Sequence, residues 1–312
     1  MSTDELATVE VAASLIAPAF TYVPLFAAKR RGFFERNQLE CAYDMVGSGD
    51  AVTEALIRGT IQFAPNTPEG VLADRATGGN LVIIAGLTNR LPFRLIGLPQ
   101  HKTRDALRGG VIGVSSMNEG TVHVIKAMLS AVGLSYPEDY RLEVVGTHPK
   151  RWELLQKGEI DAGLQLTPYD HIAVNAGYSD LGDPSEFFPD FTFGVIAADS
   201  TWAAENHDVT VRILASLLEA TEWVHSDRAG AADVLAEETA TSHDLALLSV
   251  NSMIDDGVLP RDLRVSADGV RAVLNIMQAN GTLPAGASLD PAWYVDESYL
   301  EEARRIQKGT VK

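Results

Sequence analysis

A single cysteine, Cys41, stands in 312 residues. It has no internal disulfide partner, and one thiol makes no zinc site, so disulfide scaffolds and cysteine-rich metal folds are excluded. Cations are scarce as well: 25 Lys and Arg face 42 Asp and Glu, a formal net charge of −17. Binding a phosphate backbone needs clustered cations, which excludes nucleic acid, and an anionic membrane surface would repel the chain. Long apolar runs are absent too. The most apolar early stretch, residues 11–26, is interrupted by Ser14, Pro18, Thr21 and Pro24, far short of the roughly 20 unbroken residues of a membrane span. The first six residues, Met1–Leu6, are acidic where a secretory signal opens on Lys or Arg and runs into an apolar segment. The expected location is therefore cytoplasmic, or periplasmic or extracellular if an export signal has been removed. The seven histidines show no metal-ligand spacing, and there is no nucleophile elbow, phosphate loop or dinucleotide fingerprint. No metal and no cofactor is expected. The remaining partners are small molecules or other proteins.

What is present is a chain 46% hydrophobic and 21% charged, enough for one large core or two ordinary ones. Strand-like runs at residues 9–13, 39–45, 61–64, 81–85, 111–114, 142–145 and 162–166 alternate with helix-length amphipathic runs. Val122, Ile125, Leu129 and Val132 recur at helical spacing, and Gly133 ends that run. Such alternation predicts an α/β fold. From about Thr201 the pattern turns helical: Leu214, Leu217, Leu218, Thr221 and Val224 mark one helix, Val270, Val273, Leu274 and Met277 another. Ser298 and Glu301 have capping-box spacing at the start of a last helix. Trp202, Trp223 and Trp293 fall in this helical third and read as core.

The chain also repeats itself. Val46-Gly47-Ser48, Glu54, Leu56, Arg58-Gly59 and Ile61 are echoed 99 residues later by Val145-Gly146-Thr147, Glu153, Leu155, Lys157-Gly158 and Ile160. Each copy then runs through a short strand into a Thr-Pro pair, Thr67-Pro68 and Thr167-Pro168. Repetition at this scale predicts two similar α/β lobes. In such sheets ligands sit beyond the carboxyl ends of the strands, where helices begin. Those beginnings are the turns at Ser48-Gly49-Asp50, Asn66-Thr67, Thr147-His148 and Leu166-Thr167, with the polar stretch from Ser115 and Ser116 to Thr121 as a further one. Ser, Thr and Pro at these positions also suit ordinary helix capping, and the two uses are compatible.

Gly32-Phe33-Phe34-Glu35, the strand ending in Val46-Gly47-Ser48-Gly49, Gly59-x-Ile61-x-Phe63-Ala64, Leu107-Arg108-Gly109-Gly110-Val111-Ile112-Gly113-Val114 and Gly158-Glu159-Ile160-Asp161-Ala162 follow one another along the chain. In order and spacing they resemble the sulfonate/nitrate/taurine-type and pyrimidine-precursor solute-binding proteins of ABC importers, over residues 9–299. The resemblance implies a two-lobed type II periplasmic-binding-protein fold with a hinge and an inter-lobe ligand cleft. Residues 1–96 and 195–312 would form lobe I and residues 97–194 lobe II, with crossings near Leu95-Ile96-Gly97 and Gly194-Val195-Ile196. It further implies hinge closure on a small polar organic ligand (sulfonate, carboxylate or pyrimidine-like) and an ABC-transporter permease as partner. Contacts would come from the loop ending in Tyr22, the Ser48-Gly49 and Asn66-Thr67 turns, the Ser115-Ser116 loop, and the turn around Gln165 and Thr167. Tyr22 would offer an aromatic face, and Tyr169 or Phe193 a second.

Acids at the helix starts, Asp50, Glu69, Glu119 and Asp170, suit the helix dipole; facing inward they would disfavour an anionic ligand. Arg90, Arg94 and the Lys150-Arg151 pair are the available counter-charges. Some members of the resembling fold are enzymes (decarboxylases, desulfinases, pyrimidine synthases), so a catalytic alternative stands beside binding, with His123, His148, Asp50 and Glu119 as acid–base candidates. The desulfinase type uses a cysteine nucleophile, whereas Cys41 lies mid-strand and reads as packing; the cysteine-rich motif of the pyrimidine-synthase type is missing. A third option is a partner-binding sensor using the same closure as a switch.

Overall fold

The computed structural model describes residues 8–115, 117 and 120–309; Ser116 and Glu119, both proposed above as site residues, lie outside them. The strands are β1 (Val9–Leu15), β2 (Leu39–Met45), β3 (Phe63–Asn66), β4 (Leu81–Thr88), β5 (Phe93–Gly97), β6 (Val111–Val114), β7 (Arg141–Val144), β8 (Ala162–Leu166), β9 (Ser179–Asp180) and β10 (Gly194–Asp199). The helices through β9 are α1 (Val23–Arg30), α2 (Phe33–Arg36), α3 (Gly49–Ile57), α4 (Pro68–Ala76), α5 (Gly120–Ser130), α6 (His148–Lys157) and α7 (Tyr169–Asn175). After β10 come α8 (Ser200–Glu205), α9 (His207–Ser226), α10 (Arg228–Thr239), α11 (His243–Asp255), α12 (Ala267–Ala279) and α13 (Ser298–Gln307). The chain divides into two compact units, one containing the described residues up to Asn89 and from Thr192 onward, the other Arg90–Phe191.

In the first unit β1 and β2 pair in parallel, and β10 runs antiparallel between β3 and β4. β1 and β3 are joined at one place: Gln62 N–H donates to the Ala12 carbonyl at 3.0 Å, and Ala12 N–H donates to Gln62 Oε1 at 2.7 Å. All eight residues of β4 are buried, as a strand covered on both faces requires. The core is completed by α9, whose Leu214, Leu217, Leu218, Thr221 and Val224 are the predicted stripe and are all buried, together with Phe26, Phe34 and Phe63.

The second unit is built on one sheet in the order β7-β6-β8-β5-β9, with β6 parallel to β7 and β8 and β5 antiparallel to β8. The 99-residue repeat is a repeat of hydrogen bonds as well as of letters. Asp161 N–H donates to the Val111 carbonyl and Val111 N–H to Asp161 Oδ2, both at 2.8 Å, reproducing the Gln62–Ala12 pair at the equivalent positions. Gly59 and Gly158 both turn left-handed after their helix, at φ +68° and +69°. The Thr-Pro pairs fall out of step by one residue because β8 is one residue longer than β3; the Thr167–Pro168 peptide is cis.

Some expectations are corrected. Leu95-Ile96-Gly97 and Gly194-Val195-Ile196, read as crossings between lobes, lie inside β5 and β10. Each is an antiparallel strand paired on both sides with partners distant in sequence, a relation no local pattern reveals. The chain passes between units at Asn89–Arg90 and Phe191–Thr192. Ser298 opens α13 but does not cap it: its hydroxyl donates to Asp296 Oδ1 at 2.6 Å, and Glu301 pairs with Arg264. Trp293, read as core, is 57% exposed, with the Arg75 guanidinium 5.4 Å from its ring, whereas Trp202 and Trp223 are partly buried and pack against the core as expected. Among the described residues, no helix is long and apolar enough to cross a membrane.

Candidate functional site

In the first unit the parallel strands β1 and β2 end near the end of β3, and the turns after them carry several of the residues picked from the sequence. Ser48 is exposed and caps α3, its Oγ accepting from Ala51 N–H at 3.2 Å. Asn66, 2% exposed, is fully engaged. Its Nδ2 donates to the Gly49 carbonyl (3.2 Å) and Thr53 Oγ1 (3.0 Å), and its Oδ1 accepts from Thr67 N–H (2.8 Å). A Cβ on Gly49 would stand 3.0 Å from Asn66 Oδ1, so a side chain there would have to displace the Asn66 amide by a few tenths of an ångström. Tyr22 belongs to the core rather than to the surface: it is 7% exposed, its ring lies edge-on to Phe26, and burial pushes its phenol up to about 12. Phe193 is half-buried and tied to β4 through its N–H to the Thr88 carbonyl at 2.9 Å. Asp50 is exposed in the first turn of α3, a position the helix dipole favours for an acid.

The second unit places a different set at the equivalent edge. Gly113 of β6 and Gly163 of β8 are register partners; a Cβ on Gly113 would clash with Ile160 and Val145 (2.8 and 2.9 Å), and a Cβ on either glycine would lie at ordinary contact distance from the Arg151 Cδ, 3.6 Å and 3.4 Å. The Arg151 side chain thus lies across the sheet over both bare positions. Arg151 is 4% exposed. Its Nη1 donates to Ser115 Oγ at 2.6 Å and to the Gly146 carbonyl at 3.4 Å, and its Nη2 lies 2.5 Å from His148 Nδ1. The His148 ring stacks at 5.4 Å on Phe93. Burial, then the Arg151 charge, holds the His148 imidazole well below its ordinary value, so it is neutral and accepts from the guanidinium. A base already engaged this way is a positioning group.

Gln165 follows Gly163 by two residues on β8, on the same sheet face, and is fully buried with no partner among the described residues for either Nε2 or Oε1. Thr167 is buried beside it in sequence, while Thr121 and His123 are half-buried in the first turn of α5. Tyr169 packs against the core around Trp152 and Leu155, and burial raises its phenol. Asp170 is 5% exposed, its Oδ1 accepting from His171 N–H; burial raises its carboxyl. Arg94, read as a counter-charge for a ligand, is already paired with Asp180 (2.7 Å) and Asp183 (3.7 Å), and Lys150 with Glu153.

Cys41 is 6% exposed on β2, and burial pushes its thiol up to about 12, the reverse of an activated nucleophile. Among the described residues no cluster of His, Cys, Asp and Glu could hold a metal. In sequence Gly113 stands only within a family motif, Gly163 carries no signal, and Arg151 reads with Lys150 as a counter-charge for a ligand rather than as a buried side chain holding Ser115 and His148. The repeat carried the missing signal, because Arg151 occupies the position of Val52, a fully buried apolar residue of α3.

The family model described as NMT1/THI5 like matches residues 19–231, more than half of the chain. No curated protein matches its sequence. Among solved structures, the alkanesulfonate-binding protein SsuA from Xanthomonas axonopodis pv. citri, bound to MOPS, superposes with TM-score 0.71 at 17% identity, over 93% of this chain and 99% of that one. The periplasmic nitrate-binding protein NrtA from Synechocystis PCC 6803 gives 0.75 at 14% identity, over 96% and 89%. The desulfurization enzyme DSZB gives 0.71 at 12% identity, over 96% and 99%. At these identities the likeness is one of fold, that of the two-lobed periplasmic binding proteins.

Proposed function

We propose that this chain, which belongs to the NMT1/THI5 like family, is the solute-binding component of an ABC importer and captures a small polar organic molecule. The observation that carries the reading is the duplicated sheet edge, where strand ends and helix starts gather polar side chains twice, at Ser48, Asn66 and Thr67 and at Ser115, Gln165 and Thr167. Relatives in fold bind an alkanesulfonate or nitrate, and a sulfonate, a carboxylate or a pyrimidine-like compound is the ligand class they suggest for this chain. A periplasmic location goes with that role, and a permease is the partner it requires.

The catalytic alternative has the fold of DSZB behind it but little chemistry. Cys41 is a buried, protonated thiol, and His148 is spent on Arg151. The experiment is calorimetric titration joined to mass spectrometry of whatever co-purifies. A saturating 1:1 heat with the ligand recovered unchanged is expected; turnover of the bound compound would replace the binding reading with the enzymatic one.

A further inference from the structure

Asn66 and Gln165 occupy equivalent places in the repeat, 99 residues apart, on β3 and β8, the strands that follow the repeated helices α3 and α6. Both are buried carboxamides, yet they are treated in opposite ways. Asn66 has bonds from both its nitrogen and its oxygen, whereas neither polar atom of Gln165 has one among the described residues. Among the described residues, Gln165 is the only side chain with both ends of its polar group buried and unmatched. An orphaned buried polar group costs about 1–3 kcal/mol. Such a residue is expensive unless something else satisfies it. Its surroundings are fixed: Arg151 crosses the Gly113–Gly163 pair and holds Ser115 by its hydroxyl and His148 by its Nδ1. Continuing the β6–β8 register beyond that glycine pair sets Ser115 opposite Gln165.

We infer that Gln165 reads the ligand: its Nε2 donates to a ligand carbonyl while its Oε1 accepts from an adjacent ligand N–H. The ligand class is therefore a compound with neighbouring donor and acceptor on one edge, such as a carboxamide, a ureide or a cyclic imide. A bare sulfonate, nitrate or alkanoate offers acceptors alone and leaves Oε1 unmet, so these bind about ten- to a hundredfold more weakly. This inference rests on the binding reading above and sharpens its ligand.

The test uses the full chain, with N-carbamoylglycine and hydantoin as probes carrying the edge and butanoate, ethanesulfonate and nitrate as probes lacking it. At least one of the first two is expected to bind tenfold or more tightly than any of the other three. Gln165→Met is expected to abolish that preference while leaving the ligand-free melting temperature unchanged or raised by about 1–3 °C, since it removes an orphaned amide. A Gln165→Met variant that melts several degrees lower would mean an internal partner and overturn the inference, as would a variant that keeps the preference. If ethanesulfonate, nitrate or butanoate binds the wild type as tightly as the edge-bearing probes, the inference falls and the binding reading stands. If none of the five probes binds, the inference falls, and the co-purification experiment decides the binding reading independently.

Discussion

The first unit spends its buried amide on itself, and the second leaves its own unspent. Asn66 staples the start of α3 to the start of α4, while Gln165, one methylene longer at the equivalent position, bonds to nothing among the described residues. The same contrast recurs one helix away, where buried apolar Val52 is matched by buried Arg151, whose side chain lies over Gly113 and Gly163. One repeated scaffold thus carries a buried amide that is satisfied in one unit and, among the described residues, unsatisfied in the other. Duplication fixes the backbone, and divergence of a few side chains assigns the work.

The largest effect should come where the units are most alike. Leu56 and Leu155 are equivalent, 1% and 0% exposed on α3 and α6, and Leu→Ala at either should cost about 2–5 kcal/mol in denaturant unfolding. A loss at one site and none at the other would break the equivalence on which the comparison stands. Asn66→Ala should cost about 1–3 kcal/mol for each buried group it orphans, read from the shift in unfolding midpoint at constant m-value. If it proves neutral, Asn66 is not the staple its bonds describe.

Titration comes next, because the first unit carries Gly49 where the second carries His148. The folded protein holds the His148 imidazole below the value it has in the unfolded chain, so the unfolded chain takes up the proton first. Stability is therefore lost as pH falls through about 6.5 and below. A His148→Asn variant should show a flatter stability profile between pH 7 and pH 5.5, measured by thermal unfolding in matched buffers; an unchanged slope would assign the pH dependence elsewhere. The smallest effect is expected at Cys41, which should resist alkylation by iodoacetamide at pH 8 on the native protein and react readily once unfolded. Rapid native labelling would return a thiol mechanism to consideration.

Much of this was legible from spacing. The 99-residue echo through Gly59 and Gly158, the strands at 39–45, 111–114 and 162–166, and the helical stripe through Leu214 and Val224 are local patterns, and local periodicity is set by which residues must face a core. Ser48 as a cap and Asn66, Thr67 and Gln165 at strand ends followed from the same reasoning. The rest required partners far apart in the chain. β5 and β10 are short and ordinary in sequence, and they become central strands because sequence-distant strands flank them. Tyr22 and Tyr169 looked like ligand-facing aromatics and turned out to be packed against their cores. Arg94 looked available until Asp180 and Asp183 were found beside it.

Composition and periodicity alone determined that this chain is an acidic, cysteine-poor α/β protein built on a repeated unit, because apolar patterning and turn residues act over a few positions at a time. Only the tertiary structure decided what each copy does with its polar residues. Whether a buried amide is a staple or an open hand depends on atoms brought within about 3 Å by pairing across the sheet, and no single stretch of the chain contains both sides of that contact.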